Sequence, residues 1–352
     1  MAREGLNPDD PGIRLLAGAV ANEQASEIVL VCSGSLPGLG TGATRLITDL
    51  REHAVAGERC LPFSFALDDN GLETRFKAAV VWPRAHLGKD FSFACIARAA
   101  LLLKPGGRLL CAVRKNKGGA TLGAAIRDLL GNLEILDRDR GYALYSGICQ
   151  DTVDRDRAHQ LLSVRHSIDH PLLGTPPLSA TPGVFSRKHL DRGTQALINE
   201  CDRLSKTGEI EPPDRVLDLC AGIGPLGLWA AQRWPTATIT AVESNLLATA
   251  CLRQNADKRG LLGKQPRLRV IAADGLAGQN LTRFELALIN PPTHAGEHEL
   301  RTLLTPLPPL LAGGVALFVV NRSGRLLGLL QELGATTTER ERSGFTIVSA
   351  RF

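Results

Sequence analysis

The stretch Leu288-Ile-Asn290-Pro291-Pro292-Thr293-His294 is where residue types point most directly to chemistry. An apolar run ends in an amide side chain, two prolines and an imidazole. An exocyclic or amide nitrogen is a poor nucleophile, because its lone pair is delocalised. A site that makes such a nitrogen react must offer acceptors that orient its N–H bonds in a rigid frame, which is work of positioning and electrostatics. The Asn290 side-chain oxygen and the carbonyl after it are such acceptors. Pro291 and Pro292 stiffen the turn, and Pro291 has no N–H to set a competing donor there. The same residues also fit a plain strand-ending turn. His294-Ala-Gly-Glu297-His298 further matches the zinc-peptidase pattern H-x-x-E-H. Gly296 and the two prolines oppose the firm helix that would bring both histidines to one metal. No metal is therefore expected. His298 is read as a solvated loop residue, and His294 equally as a substrate contact or a backbone contact.

Upstream, Val216-Leu-Asp218-Leu-Cys220-Ala221-Gly222-Ile-Gly224 reads as a strand, a glycine turn and a helix start. Glycines let a ligand approach the backbone, and a helix start presents free N–H groups. Glu243, with Ser244 beside it, ends the next strand, where a carboxylate accepts from both hydroxyls of a ribose. Asp274-Gly275 follows the third strand and suits an adenine amino group. Gly222-Ile-Gly-Pro-Leu-Gly227, with Glu243 downstream, also matches the dinucleotide fingerprint G-x-G-x-x-G. A dinucleotide has a pyrophosphate to neutralise, whereas S-adenosylmethionine (SAM) has an α-amino group that needs acceptors. Asp218, Asp274 and the Asn-Pro-Pro turn together favour SAM. Its expected contacts are Asp218, Cys220, Ala221, Gly222, Gly224, Glu243, Ser244, Asp274, Gly275 and Asn290. Asp218 alone also fits a helix-capping acid.

These residues need elements to hold them. Short apolar runs at 215–219, 237–242, 268–272, 286–289, 315–320 and 346–350 alternate with helical-period segments such as 226–233 and 246–259. Strands apolar throughout, separated by helices, predict a parallel sheet covered on both faces. The first half repeats this pattern. Ala78-Ala-Val-Val-Trp82-Pro83 aligns with Leu286-Ala-Leu-Ile-Asn290-Pro291, and the runs around Gly106-Gly107 and Gly141 align with those around Gly313-Gly314 and Gly344. The expected fold is α/β: two tandem Rossmann-like domains with doubly wound sheets. The first, 1–150, reads as degenerate because it lacks the acid and the paired glycines and carries Trp82-Pro83-Arg84 for Asn-Pro-Pro. Residues 151–182 read as a linker with a helix, and 183–352 as the catalytic domain.

Composition agrees with a globular chain. It has 352 residues, 44% hydrophobic and 22% charged, with 36 Gly and 20 Pro, which excludes disorder throughout. Aromatics are only 4%, so any stacking surface rests on few side chains. The net charge is +5; residues 1–180 carry 21 basic and 20 acidic groups, and 181–352 carry 20 and 16. That mild excess permits a polyanionic partner without demanding one. Arg114, Lys115, Lys117, Arg253, Lys258, Arg259, Lys264, Arg267 and Arg269 are candidate phosphate contacts, and Arg187 and Lys188 adjoin the expected site. Eight cysteines without a C-x-x-C pair read as reduced, buried thiols of a cytoplasmic protein. The opening MAREGLNPDD carries no apolar signal region, and no run is long enough for a membrane span.

Pro182-Gly-Val-Phe185-Ser-Arg187, then Leu190-Asp191 and Gly193-Thr-Gln195, then Asp218 to Gly224, then Asn290-Pro-Pro-Thr-His294 together resemble the RsmC/RlmG family of ribosomal RNA guanine-N2 methyltransferases. The resemblance covers the whole chain. It implies two class I methyltransferase domains, the first one inactive and supporting folding or RNA binding. It implies SAM as methyl donor and the N2 of a guanine in ribosomal RNA, free or in a ribosomal subunit, as acceptor. Asn290, Pro291 and Pro292 would hold the amino group, Gly193 would lie near the methionine end of SAM, and Phe185, Arg187, Thr293 and His294 would meet the substrate. The chain departs from the family in Thr293, where an aromatic is usual, and in Cys220, which replaces a loop glycine. Phe185 or Trp229 is a candidate for the missing aromatic face. Two other readings stay open: an amino-methyltransferase acting on a protein glutamine or an adenine, and a non-catalytic RNA-binding protein.

Overall fold

The structure, a computed structural model, describes residues 6–52, 56–66, 74–292 and 296–352. Thr293 and His294 lie outside the described residues. The chain divides into two compact units, Ala2–Arg165 and His166–Phe352.

The first unit holds α1 (Pro11–Val20), β1 (Ile28–Val31), β2 (Thr44–Ile47), β3 (Arg59–Pro62), β4 (Phe76–Val81), α2 (Lys89–Leu101), β5 (Leu103–Arg114), α3 (Gly119–Leu130), β6 (Glu134–Asp139), β7 (Tyr142–Ile148) and α4 (Arg155–Leu162). Its sheet has the order β3-β2-β1-β4-β5-β7-β6. The second unit holds β8 (His166–Ile168), β9 (Leu178–Ala180), α5 (Arg192–Lys206), β10 (Arg215–Leu219), α6 (Pro225–Arg233), β11 (Thr238–Glu243), α7 (Leu246–Asp257), β12 (Leu268–Ala272), β13 (Leu286–Ile289), α8 (Glu297–Leu304), α9 (Leu307–Leu310), β14 (Val315–Val320), α10 (Gly324–Glu332), β15 (Thr336–Arg342) and β16 (Phe345–Arg351). Its main sheet, β12-β11-β10-β13-β14-β16-β15, repeats the first strand for strand. The expected α/β duplication is therefore present.

The strands that carry the site are apolar because both of their faces are covered. All four residues of β13 are buried, as are Val216–Leu219 in β10, and Leu217, Ala287, Ile289, Phe318 and Val348 pack in one core. Each large aliphatic side chain so buried contributes roughly 1.5–3 kcal/mol. The sheets are mixed rather than wholly parallel. β16 pairs antiparallel with β14 and β15, and β7 pairs antiparallel with β5 and β6. β15 and β6 are the strands that apolarity does not mark. TTTERER and EILDRD are charged edge strands, mostly exposed, and charge on an edge guards its open hydrogen-bonding groups.

The segment 151–182, expected as a linker, divides between the units. α4 is capped by Asp154, whose side chain accepts from Arg157 N at 2.8 Å, and it packs on α2 and α3 in the first unit. The Pro/Gly-rich remainder is bound into the second unit. β8 and β9 form a hairpin against α7. The Asn255 side chain bonds both Ser179 N and Ser179 O, and Arg259 donates to the carbonyls of Leu173 and Pro176 at 2.7 Å each.

Candidate active site

β10, β11, β12 and β13 run parallel, so their C-terminal ends share one edge of the sheet. Ligands of open α/β sheets sit beyond that edge. The loop after β10 turns through three positive φ angles, at Cys220 (61°), Gly222 (56°) and Gly224 (95°). Gly224 is required twice over, because an added Cβ would lie 2.1 Å from Leu252 Cδ1. At Gly222 an added Cβ would meet nothing within 4 Å, so open space lies beside the loop there. Ala221 is buried and donates its N–H to Val242 O at 3.1 Å.

Asp218 does not stand where a ligand contact was expected. It is 0% exposed, and its Oδ2 accepts from Gly227 N at 2.7 Å, in the first turn of α6. Gly224 precedes α6 and offers no side-chain cap, so Asp218 caps the helix from the neighbouring strand. Gly227 makes this possible, since a Cβ there would lie 2.9 Å from the same oxygen. Asp218 Oδ1 is enclosed without a hydrogen-bond partner, and burial pushes the carboxyl up to about 7. A pH dependence follows from linkage. Between the ordinary value of 3.8 and about 7, the folded state holds a proton that the unfolded state has lost. This contribution to stability is complete below the ordinary value and declines as pH rises towards 7. In the ligand-free protein, Asp218→Asn should remove that part of the decline. Thermal midpoints of both proteins from pH 4 to 8 check this, and identical slopes would refute it.

Glu243 ties two loops together. Its Oε2 accepts from Gly222 N at 2.7 Å and its Oε1 from Asn245 N at 2.8 Å. Ser244 beside it is half-buried, and Asn245 caps α7 by accepting from Ala248 N at 2.9 Å. Ala273 N donates to Glu243 O at 3.1 Å, which brings the turn of Asp274 and Gly275 alongside. Asp274 is exposed and Gly275 is buried.

Asn290 follows β13, half-buried, with Pro291 buried behind it and Pro292 exposed. Its Nδ2 donates to Asp191 Oδ2 at 3.1 Å and to Thr194 Oγ1 at 3.0 Å. Among the described residues none bonds its Oδ1. Asp191 is the N-cap of α5, accepting from Thr194 N at 2.8 Å. Gly193 lies within this first turn, where an added Cβ would sit 3.1 Å from Asp191 Oδ2 and 3.4 Å from Val319 Cγ2. The loop leading to α5 carries Phe185, 68% exposed, and the half-buried Arg187, whose Nε is enclosed without a partner.

The family of methyltransferase small domains matches residues 177–349. The ribosomal RNA small subunit methyltransferase C of Pseudomonas entomophila is 30% identical over 286 residues, 79% of this chain and 80% of that one. The protein of the same name from Pseudomonas paraeruginosa is 31% identical over 78% of this chain and 79% of its own. The chain belongs to the ribosomal RNA small subunit methyltransferase C family. A solved structure of the T. thermophilus 16S rRNA N2 G1207 methyltransferase (RsmC), in complex with AdoMet and guanosine, aligns over 97% of this chain and 92% of that one. Its TM-score is 0.78 at 23% identity, a likeness of fold.

As a family member the chain is a methyltransferase, and its two sheets differ where the family's chemistry would sit. By strand register Val31 corresponds to Leu219, since the first pairs with Leu46 and Val81 and the second with Val242 and Ile289. Leu30, Ile47 and Trp82 therefore stand where the second unit has Asp218, Glu243 and Asn290. Cys32 matches Cys220, and both have positive φ, at 52° and 61°. In the first unit Arg84 crosses this edge, donating to Cys32 O at 3.1 Å and to Glu52 Oε2 at 3.0 Å.

Several of the candidate phosphate contacts also make bonds or ring contacts within the protein. Arg259 is bound to carbonyls as described, Arg267 donates to Ala231 O, and Lys258 reaches Ser179 Oγ. Arg114 lies over the Tyr142 ring at 5.0 Å. Trp229 is 6% exposed and packs edge-on against Trp234, so it offers no face to a base. Sequence reasoning assigns Asp191 and Thr194 no role of their own in the site. Their spacing signals a helix cap, and nothing local signals their meeting with Asn290.

Proposed function

We propose that this protein transfers a methyl group from SAM to the exocyclic N2 of a guanine in small-subunit ribosomal RNA. The observation that carries the reading is the position of Asn290. It presents, on a proline-backed turn, a side-chain oxygen that no described residue bonds, at the same sheet edge as Glu243 and the glycine loop. The residues present fit the cofactor. Glu243 sets a carboxylate at the end of β11, bonded to the glycine loop, where a ribose would lie, Gly222 leaves open space beside the loop, and Asp274 is exposed next to the Glu243 strand end. Cys220, Ala221, Gly222, Gly224, Ser244 and Gly275 form the backbone around it, and Gly193 brings α5 close. Asp218 supports this pocket from behind, by holding the loop and α6 together.

When bound, SAM supplies a methyl carbon on a positively charged sulfur. This chain's residues present the nitrogen to it. Asn290 Oδ1 accepts an N–H of the guanine amino group. That bond strengthens as the nitrogen becomes more positive, so it favours the transition state over the ground state. Pro291 and Pro292 hold the turn rigid. Phe185, exposed on the loop leading to α5, offers a stacking face for an unstacked base, and the half-buried Arg187 of the same loop is the proposed cationic contact to the RNA. The first unit, with apolar side chains at the three key positions and Arg84 across the edge, is read as non-catalytic. Eight unpaired cysteines and a ribosomal RNA substrate support a cytoplasmic place of action. Among the described residues, no helix is long and apolar enough to cross a membrane.

The test is methyl transfer from labelled SAM to small-subunit RNA, with the product nucleoside identified by mass spectrometry. N2-methylguanosine is expected. Label in adenine or in protein would overturn the acceptor. No heat on titration with SAM, together with RNA binding, would favour the non-catalytic reading.

A further inference from the structure

We infer that Asp191 and Thr194 form a polarity lock that decides which end of the Asn290 amide faces the acceptor nitrogen. An amide side chain has two ends of nearly equal shape and opposite hydrogen-bonding sense. Turned over, Asn290 would aim N–H donors at an amino group, and the two would repel. The structure fixes the choice by consuming both hydrogens on Nδ2, one on Asp191 Oδ2 at 3.1 Å and one on Thr194 Oγ1 at 3.0 Å. A carboxylate only accepts. The Thr194 hydroxyl could go either way, but it lies 3.2 Å from the same Asp191 oxygen and donates its proton there. Its lone pairs are therefore left for Nδ2. The carboxylate thus sets the sense of the hydroxyl, and both set the sense of the amide, leaving Oδ1 for the substrate. Asp191 is itself held by Thr194 N at 2.8 Å, on the first turn of a fifteen-residue helix. Gly193 leaves just enough room for that oxygen, and Val319 and Phe345 close the other side.

Asp191 and Thr194 are positioning residues on this account, since they act on the substrate through Asn290. The inference rests on Asn290 holding the acceptor, so wild-type transfer to ribosomal RNA is measured first, and its absence would defeat that reading itself. Asp191→Ser keeps a capping hydroxyl for α5 but is too short to reach Asn290. Thr194→Val keeps the shape and loses the acceptor. Both should lower kcat about tenfold or more, since a misplaced group of this kind loses rate rather than binding. The Kd for SAM by calorimetry and the KM for RNA should stay within about twofold of wild type. Thr194→Ser and Asp191→Asn, which keep an acceptor facing Nδ2, should recover most of the turnover. The side-chain amide signals of Asn290 should exchange with solvent faster in Asp191→Ser than in wild type. With wild-type transfer established, the lock is overturned if Asp191→Ser turns over at the wild-type rate. It is equally overturned if SAM affinity falls in proportion to turnover.

Discussion

Asn290→Ala should lower turnover by ~10²-fold or more and leave SAM affinity within about twofold. The substitution removes the side-chain acceptor on the proline-backed turn and takes the Asn290 amide from Asp191 Oδ2 and Thr194 Oγ1. The amino nitrogen of a guanine then enters with its N–H bonds unoriented, and its lone pair spends little time aimed at the methyl carbon. The effect belongs in kcat because the lost bond is stronger in the transition state than with bound substrate. Cofactor affinity should be spared, because the proposed ribose acceptor, Glu243, lies on another strand end. Single-turnover transfer from labelled SAM, alongside calorimetry, separates the two quantities. Equal loss of both would contradict the role assigned to Asn290.

Glu243→Ala should raise the Kd for SAM by about 10²-fold while turnover at saturating SAM changes far less. On the proposed reading the variant loses the charge-assisted bonds from the carboxylate to the ribose hydroxyls. The two backbone N–H groups the carboxylate now accepts from, Gly222 N and Asn245 N, also lose their partner. Glu243→Gln is no gentle change here. Both oxygens accept a backbone N–H, so an amide must set its own N–H against one of them. It should weaken SAM nearly as much as alanine does. Calorimetric titration decides this, and a glutamine variant with wild-type affinity would remove Glu243 from the cofactor site.

The first unit shows how much was open to reading from residues alone. Its sheet repeats the second because runs such as Ala78-Ala-Val-Val recur at matching places, and buried parallel strands have little choice but to be apolar. Its lack of a site was legible in Trp82-Pro83-Arg84. The Arg84–Glu52 pair that crosses the edge was not, because a salt bridge between residues 32 apart in sequence leaves no local trace. Edge strands β6 and β15 escaped for the opposite reason. They face solvent, so burial imposes no pattern on them.

The sequence by itself determined the elements and their punctuation: apolar strands, the glycine turn after β10, the caps, and a rigid amide-bearing turn after β13. These are settled by backbone geometry and solvent exclusion over a few neighbouring residues. Only the tertiary structure decided where polar side chains point. Asp218 turns inward to cap α6, Arg259 and Arg267 turn to carbonyls, and Asn290 meets Asp191 and Thr194 across 99 and 96 positions of chain. Direction and long-range pairing depend on which surfaces pack together, and a polar side chain buried by that packing takes the partner it finds there.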